Sequence, residues 1–297
     1  MKKIIALILV LSLSIFCFAA CKKNKDDKDN TPETPAEKTY TLATALLHSY
    51  SEDDNKTTDY VAAIVLDESN KIVAARIDCI ELALTVADDA IADAEFVPTK
   101  VEIGDAYAMT AGSFAKQTKA FEDAIVGKTA DEVANLDLTQ VAGCTMPYSP
   151  LSFKAVLAKA FASANKTTFK TNDSFTLGLA ATMVVEGGKA TTNYGGTVVA
   201  NGKIVATILD ASDASFSVAD GVIVASEYKG TKVELGDAYA MNSGSFAKQT
   251  DAFENYVKGK TAAEVAALDL TQIAGCTMPY TPAAFQAVLA KTFSYAR

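Results

Sequence analysis

The sequence predicts an α+β fold of two like domains in tandem, each an antiparallel sheet of hairpins followed by packed C-terminal helices. Three observations predict it. Residues 101–160 and 233–292 match without gaps at about 44 of 60 positions, a fixed offset that marks tandem duplication. Within each copy, apolar runs punctuated by turn residues come first and helix-period segments come last. Each copy is about 125 residues, a size that buries its own core.

The chain opens on MKKIIALILVLSLSIFCFAA, with Lys2 and Lys3 before an apolar run from Ile4 to Phe18 and the small residues Ala19 and Ala20. That pattern is a secretory signal, and the run falls short of the ~20 residues that span a bilayer. It stops at Cys21, followed by Lys22 and Lys23, and so resembles a bacterial lipoprotein signal in which Cys21 becomes the lipidated first residue. Residues 22 to 38, KKNKDDKDNTPETPAEK, hold no large apolar side chain and cannot repay the entropy of ordering. The expected layout is therefore a signal over 1–20, a tether over 21–38, a first repeat over 39–165 and a second over 166–297. The body is expected extracytoplasmic, held by lipid at the outer face of a membrane.

In the first copy, the runs Tyr60 to Leu66 and Ile72 to Ile77 flank the turn ESNK, a hairpin signal that Asn201 and Gly202 make plainer in the second. DYVAAIVLDESNKIVAARID (59–78) sets against NYGGTVVANGKIVATILD (193–210) if two turn residues are deleted. A second hairpin turns at Asp220 and Gly221. Its first-copy partner, LALTVADDAIADAEF, is rich in alanine, but its duplicate argues for strand. Next, SFAKQTKAFEDAIVG carries Phe114, Phe121 and Ile125 on one helical face, with Ser113 to cap it and Gly127 to stop it. Thr129 with Glu132, and Thr261 with Glu264, have capping-box spacing. Ser149-Pro150 and Thr281-Pro282 then open the closing helices.

Composition removes several function classes. A formal charge of −9 argues against nucleic acid. Cys79, Cys144 and Cys276 are odd in number and lack a C-x-x-C, so neither a disulfide framework nor a thiolate zinc site of usual spacing fits. His48 is the only histidine, and its counterpart falls near Thr182 and Met183, so no histidine-based machine is repeated. Nothing matches a P-loop, an HExxH helix or a nucleophile elbow.

Two patches recur almost verbatim: LTQVAGCTMPY (138–148) with LTQIAGCTMPY (270–280), and GDAYAM (104–109 and 236–241). The first ends at a helix start, where unpaired amides favour an anion such as phosphate. Gly143 and Gly275 permit close approach, and Thr145 and Thr277 add hydroxyls. Any capped helix has these parts, however, and glycine also serves merely to turn the chain. Cys144 and Cys276 read as buried residues, or as thiolates stabilised by the helix start. In the second patch, Tyr107 and Met109 can cover a flat ring while Asp105 bonds its edge, as can Tyr239, Met241 and Asp237. Alternatively, they fill the core around a Gly-Asp turn.

The Gly-x-Thr loop before a helix of the type SFKAVLAKA resembles the FMN-binding domains of bacterial surface and respiratory electron-transfer proteins. Those domains carry a Ser-Gly-Ala-Thr motif whose threonine is joined to the flavin phosphate by a dedicated transferase. Residue by residue, the motif falls on Ala142, Gly143, Cys144 and Thr145, and on Ala274, Gly275, Cys276 and Thr277. Alanine replaces the family serine, cysteine replaces its alanine, and Pro147 stands where a second hydroxyl residue usually follows. VEIGDAYAM, VELGDAYAM and VGKTADEVANL also resemble a group of clostridial surface proteins related to these domains. The resemblance implies FMN, covalent attachment at Thr145 or Thr277, a flavin transferase, a membrane redox partner, and a role as an extracytoplasmic electron carrier. The competing expectation is a non-enzymatic surface lipoprotein that binds a small ligand or an envelope partner.

Overall fold

Strands whose both faces are covered read as continuous apolar runs rather than alternating ones, and VAAIVL (61–66) is such a run. The computed structural model describes residues 37–110, 112–144, 150–241, 244–276 and 282–297. The main strands are β1 (Lys38–Ser51), β2 (Lys56–Leu66), β3 (Ile72–Ala83), β4 (Ala94–Val97), β5 (Lys166–Thr171), β6 (Phe175–Glu186), β7 (Lys189–Ala200), β8 (Lys203–Ala219) and β9 (Val222–Thr231). One antiparallel sheet has the order β3-β2-β1-β5, and the other has β9-β8-β7-β6-β4.

The sheets pack face to face. Leu42, Leu46, Val61, Ala63 and Val65 share one core with Leu177, Leu179, Met183, Tyr194 and Val198. Their neighbours along the strands, Ala43, Ala45, Ala62, Ile64 and Leu66, point the other way into a core with α2 (Phe114–Ile125) and α4 (Pro150–Ala162). On the second sheet, Ala180, Leu209 and Ala211 form the matching outer core with α6 (Phe246–Val257) and α8 (Pro282–Ser294). The result is four layers, helix, sheet, sheet and helix, and Ala36–Arg297 is one compact unit. Every fully buried Leu or Ile in these layers contributes roughly 1.5–3 kcal/mol relative to exposure.

Two glycines set the layer spacing. A Cβ on Gly178 would lie 1.8 Å from the Thr292 carbonyl oxygen, so α8 rests directly on β6. A Cβ on Gly196 would lie 2.8 Å from the Ala63 Cβ, so the sheets meet there.

The copies trade strands. β5, beyond the 165/166 boundary, pairs with β1, and β4, from the first copy, pairs with β6. The segment 82–96 contains no helix: β3 runs to Ala83, Val86–Ala87 pairs with Ala90–Ile91 around left-handed Asp88 and Asp89, and β4 follows. It does not form the long hairpin of its duplicate, because β4 leaves for the other sheet.

The copy-to-copy strand alignment needs a correction. Ile72 N donates to the Lys128 carbonyl as Ile204 N does to Lys260, and Val61 faces Asp78 as Tyr194 faces Asp210. Val61 therefore corresponds to Tyr194, which requires deletion of one turn residue, not two. A slip of one would turn every β7 side chain to the wrong face.

The helix starts follow the sequence. Ser113 Oγ accepts from Lys116 N, and full capping boxes hold α3 (Ala130–Ala134) and α7 (Ala262–Ala266) through Thr129 and Thr261. Gly127 ends α2 at φ +81°. A further capping box opens α5 (Lys232–Leu235), with Thr231 and Glu234, and Thr99 caps α1 (Lys100–Ile103).

Candidate functional site

The duplicated loop has one geometry in both copies. A single 3-10 turn, Leu138–Gln140, is capped by Asp137, and Cys144 N then donates to the Val141 carbonyl at 3.0 Å. Gly143 takes φ +80° with its α-carbon edge against the Ala120 methyl of α2, and Gly275 takes +81° against Ala252. Thr145, Pro147 and Thr277 lie outside the described residues, as do Cys21 and the tether up to residue 36, and β1 already begins at Lys38. Cys144 is buried among Phe114, Val141 and Phe153, and Cys276 lies at the margin of the matching core. Burial pushes both thiols up, against the stabilised thiolate.

The GDAYAM patch follows α1 and begins as a 3-10 turn at Gly104–Ala106, and its copy follows α5 with the same turn at Gly236–Ala238. Tyr107 meets Phe114 edge-on at 5.9 Å between centroids, while the Lys100 ammonium sits 4.8 Å from its ring centre. Tyr239 repeats this with Phe246 at 5.9 Å and Lys232 at 5.0 Å. Tyr107, Met109, Tyr239 and Met241 pack against the outer cores. Asp105 and Asp237 point outward to Lys116 and Lys248, whose hydrogen bonds hold both carboxyls below the usual range. The patch thus orders the helix layer, and its aspartates stand away from its tyrosines.

The copies diverge most sharply at another position. Glu122 on α2 is buried, and its Oε1 accepts from Ile77 N of β3 at 2.9 Å; Glu254 accepts from Leu209 N at 2.7 Å. Around Glu122, Arg76 Nη1 donates to Oε2 at 3.2 Å and Arg297 Nη2 at 2.7 Å. Where the first copy has Arg76, the second has Ile208 inside the sheet–sheet core. Burial pushes Glu254 well above an ordinary glutamate; it raises Glu122 too, but there Arg76 and Arg297 pull back.

Beside Arg76 opens a cavity of about 680 Å³ between the start of β3, α2 and the 172–175 turn. Arg76, Lys119 and Arg297 bring positive charge to its wall, and Tyr40, Val73 and Phe175 bring apolar surface. Tyr40 and Phe175 meet edge to face at 5.3 Å. Arg297 is fixed there by backbone bonds in both directions with Leu177. At the positions of Lys119, Asp123 and Val126 the second copy has Asp251, Asn255 and Lys258. These charge-changing differences between otherwise matching helices are the signal in the sequence for the cavity.

His48 is a half-buried strand residue that faces the second sheet at Tyr228. Its Nδ1 lies 2.7 Å from Asp59 Oδ1, and its ring stacks on Tyr228 at 4.7 Å. Its counterpart by register is Met183. No group of His, Cys, Asp and Glu among the described residues is arranged to hold a metal, and no helix among them is long and apolar enough to cross a membrane.

No protein-family model matches the chain, and neither the curated proteins nor the solved structures searched contain a match.

Proposed function

We propose that the chain is a lipid-anchored, non-enzymatic binding protein that presents a small-ligand cavity outside the membrane. The observation that carries this reading is the divergence of the copies around one buried glutamate. The second copy has Ile208, a residue of the sheet–sheet core, where the first has Arg76; Arg76 and the distant Arg297 bring two guanidinium groups to Glu122, and about 680 Å³ opens beside them. That volume lies in the range of small-molecule sites, and its wall combines charged groups with the apolar surface of Tyr40, Val73 and Phe175. The signal, Cys21 and the charged tether support display from a membrane.

The flavin carrier is the second reading, supported by the matching left-handed turns at Gly143 and Gly275 just before Thr145 and Thr277. The aromatic rings of GDAYAM add little to it, since lysine and phenylalanine already cover them. The intact mass of protein extracted from membranes of cells that also make a flavin transferase separates the two readings. The binding-protein reading expects lipid mass at Cys21 and none at either threonine. An FMN mass lost in Thr145→Ala and Thr277→Ala would establish the carrier.

A further inference from the structure

The cavity lies where the first sheet has a strand and the second has none. β1 and β6 are counterparts: Leu42 and Leu46 face the sheet–sheet core as Leu177 and Ala181 do, which matches Tyr40 to Phe175 and Lys38 to Asp173. On β1 this end of the strand is covered. β5 pairs with it antiparallel, setting Thr167 opposite Leu42, Phe169 opposite Tyr40 and Thr171 opposite Lys38, and β5 also touches β8. On β6 the matching edge carries a single residue. Arg297 N donates to the Leu177 carbonyl at 3.3 Å and Leu177 N donates to the Arg297 carbonyl at 3.4 Å, so Arg297 holds the place that Thr167 holds on β1. Among the described residues no strand stands at the places matching Phe169 and Thr171.

The backbone leaves that edge able to pair. Inter-strand bonds alternate along an antiparallel strand, so residues two apart point their N–H and C=O groups the same way. Leu177 points to Arg297, and Phe175 therefore points to the same side, away from β7. The cavity opens there. Val73 and Ala74 of β3, which match Val205 and Ala206 of β8, form one wall, and Tyr40 and Phe175 form another. Phe169 on β5 stacks on Tyr40 at 5.5 Å and meets Phe175 edge-on at 5.7 Å. A side chain in the matching place opposite Phe175 therefore lies against both rings. The charges of the wall balance, Arg76, Lys119 and Arg297 against Glu122, Asp123 and Asp173, and favour neither sign. A peptide backbone is neutral, and it both donates and accepts.

We propose that the cavity receives a short extended peptide, which continues along β6 the antiparallel ladder that Arg297 begins and sets an aromatic or large apolar side chain opposite Phe175. Main-chain bonds to a sheet edge give such binding its affinity, and side-chain slots give it specificity. This deepens the binding-protein reading and rests on it. The test titrates the isotope-labelled mature chain with four probes while the amide shifts of residues 73–76 and 173–177 are followed. The first is the acetylated and amidated peptide KTTFKT, which copies β5. The second has alanine in place of the phenylalanine. The third is N-methylated at the phenylalanine, whose N–H is the donor to the Phe175 carbonyl, and the fourth is benzyl alcohol. KTTFKT is expected to shift these amides, the alanine peptide to bind about tenfold more weakly, and the N-methylated peptide about fivefold more weakly. Undiminished binding of the N-methylated peptide means that no ladder forms, and overturns the proposal. Benzyl alcohol binding as tightly as KTTFKT, or more so, overturns the peptide while leaving a binding cavity. Shifts confined to residues 38–43 and 166–171 mean that the peptide displaces β5, which also overturns it. Silence of the cavity amides toward all four probes overturns the cavity reading itself.

Discussion

Asp78 makes the protein's stability fall as pH rises, and Asp78→Asn should remove much of that fall. The carboxyl is buried in the middle of β3, where its Oδ1 accepts from Cys79 N at 2.7 Å and from Val101 N at 3.0 Å. Burial outweighs these bonds and pushes its pKa to about 7 from an ordinary 3.8. The folded state therefore holds a proton that the unfolded state releases between about pH 4 and 7. Stability is fully present below the unfolded pKa and is lost as pH rises through the folded one. A shift of this size corresponds to at most ~4 kcal/mol at 1.36 kcal/mol per unit. Asn keeps the Oδ1 acceptor for both amides and never ionises. Urea unfolding at pH 5 and pH 8, which spans about two of the three units, should thus show the wild type losing stability and the variant losing about 2–3 kcal/mol less. Exposed carboxylates such as Asp105 and Glu132, whose pKa values are lowered by their partners, act in the opposite direction, and they cancel in the wild-type-to-variant difference. An unchanged pH slope in the variant would refute the reasoning. Asp210, pushed to about 6 by burial, should behave in the same sense with a smaller amplitude.

Other expectations come from the same geometry. Glu122→Gln strands two guanidiniums and should cost ~3 kcal/mol in chemical denaturation, whereas Glu254→Gln keeps an acceptor for Leu209 N and should stay within ~1 kcal/mol. Equal losses would mean that Arg76 and Arg297 do not bind Glu122 as described. Gly178→Ala should lower stability by ~3 kcal/mol, because the new methyl meets the Thr292 carbonyl at 1.8 Å and α8 must lift; a neutral result in thermal melting would contradict that packing. Alkylation followed by peptide mapping should modify Cys276 first, then Cys144, and Cys79 only on unfolding, since Cys79 is buried and its thiol is pushed up strongly.

The helix layer was the most legible part of the sequence. Ser113, Thr129 and Thr261 act locally, and a cap is decided by residues three or four apart. The strands were legible as strands, but their partners were not. Whether β4 and β5 stay with their own copies depends on contacts far away in sequence, and no local pattern distinguishes an edge of one sheet from an edge of the other. The one-residue slip at the first hairpin has a similar cause: Tyr60 and Tyr194 look alike as letters, yet Val61 is the residue that shares Tyr194's face. For the site, near-identity of the copies drew attention to GDAYAM and the cysteine loop, where Tyr107 and Cys144 turn out to pack the outer core. Arg76 against Ile208 was visible in the same alignment. Its meaning required Arg297, 221 residues away, to arrive beside it.

A crystal structure of the mature chain soaked with fragments of mixed charge tests the binding-protein account most directly. The account predicts ligand density in the cavity against Arg76, Lys119, Phe175 and Arg297, and none at Ile208 and Asp251, the second-copy counterparts of Arg76 and Lys119. Density confined to the loops at 142–144 and 274–276, with flavin on the adjoining threonines, would contradict it.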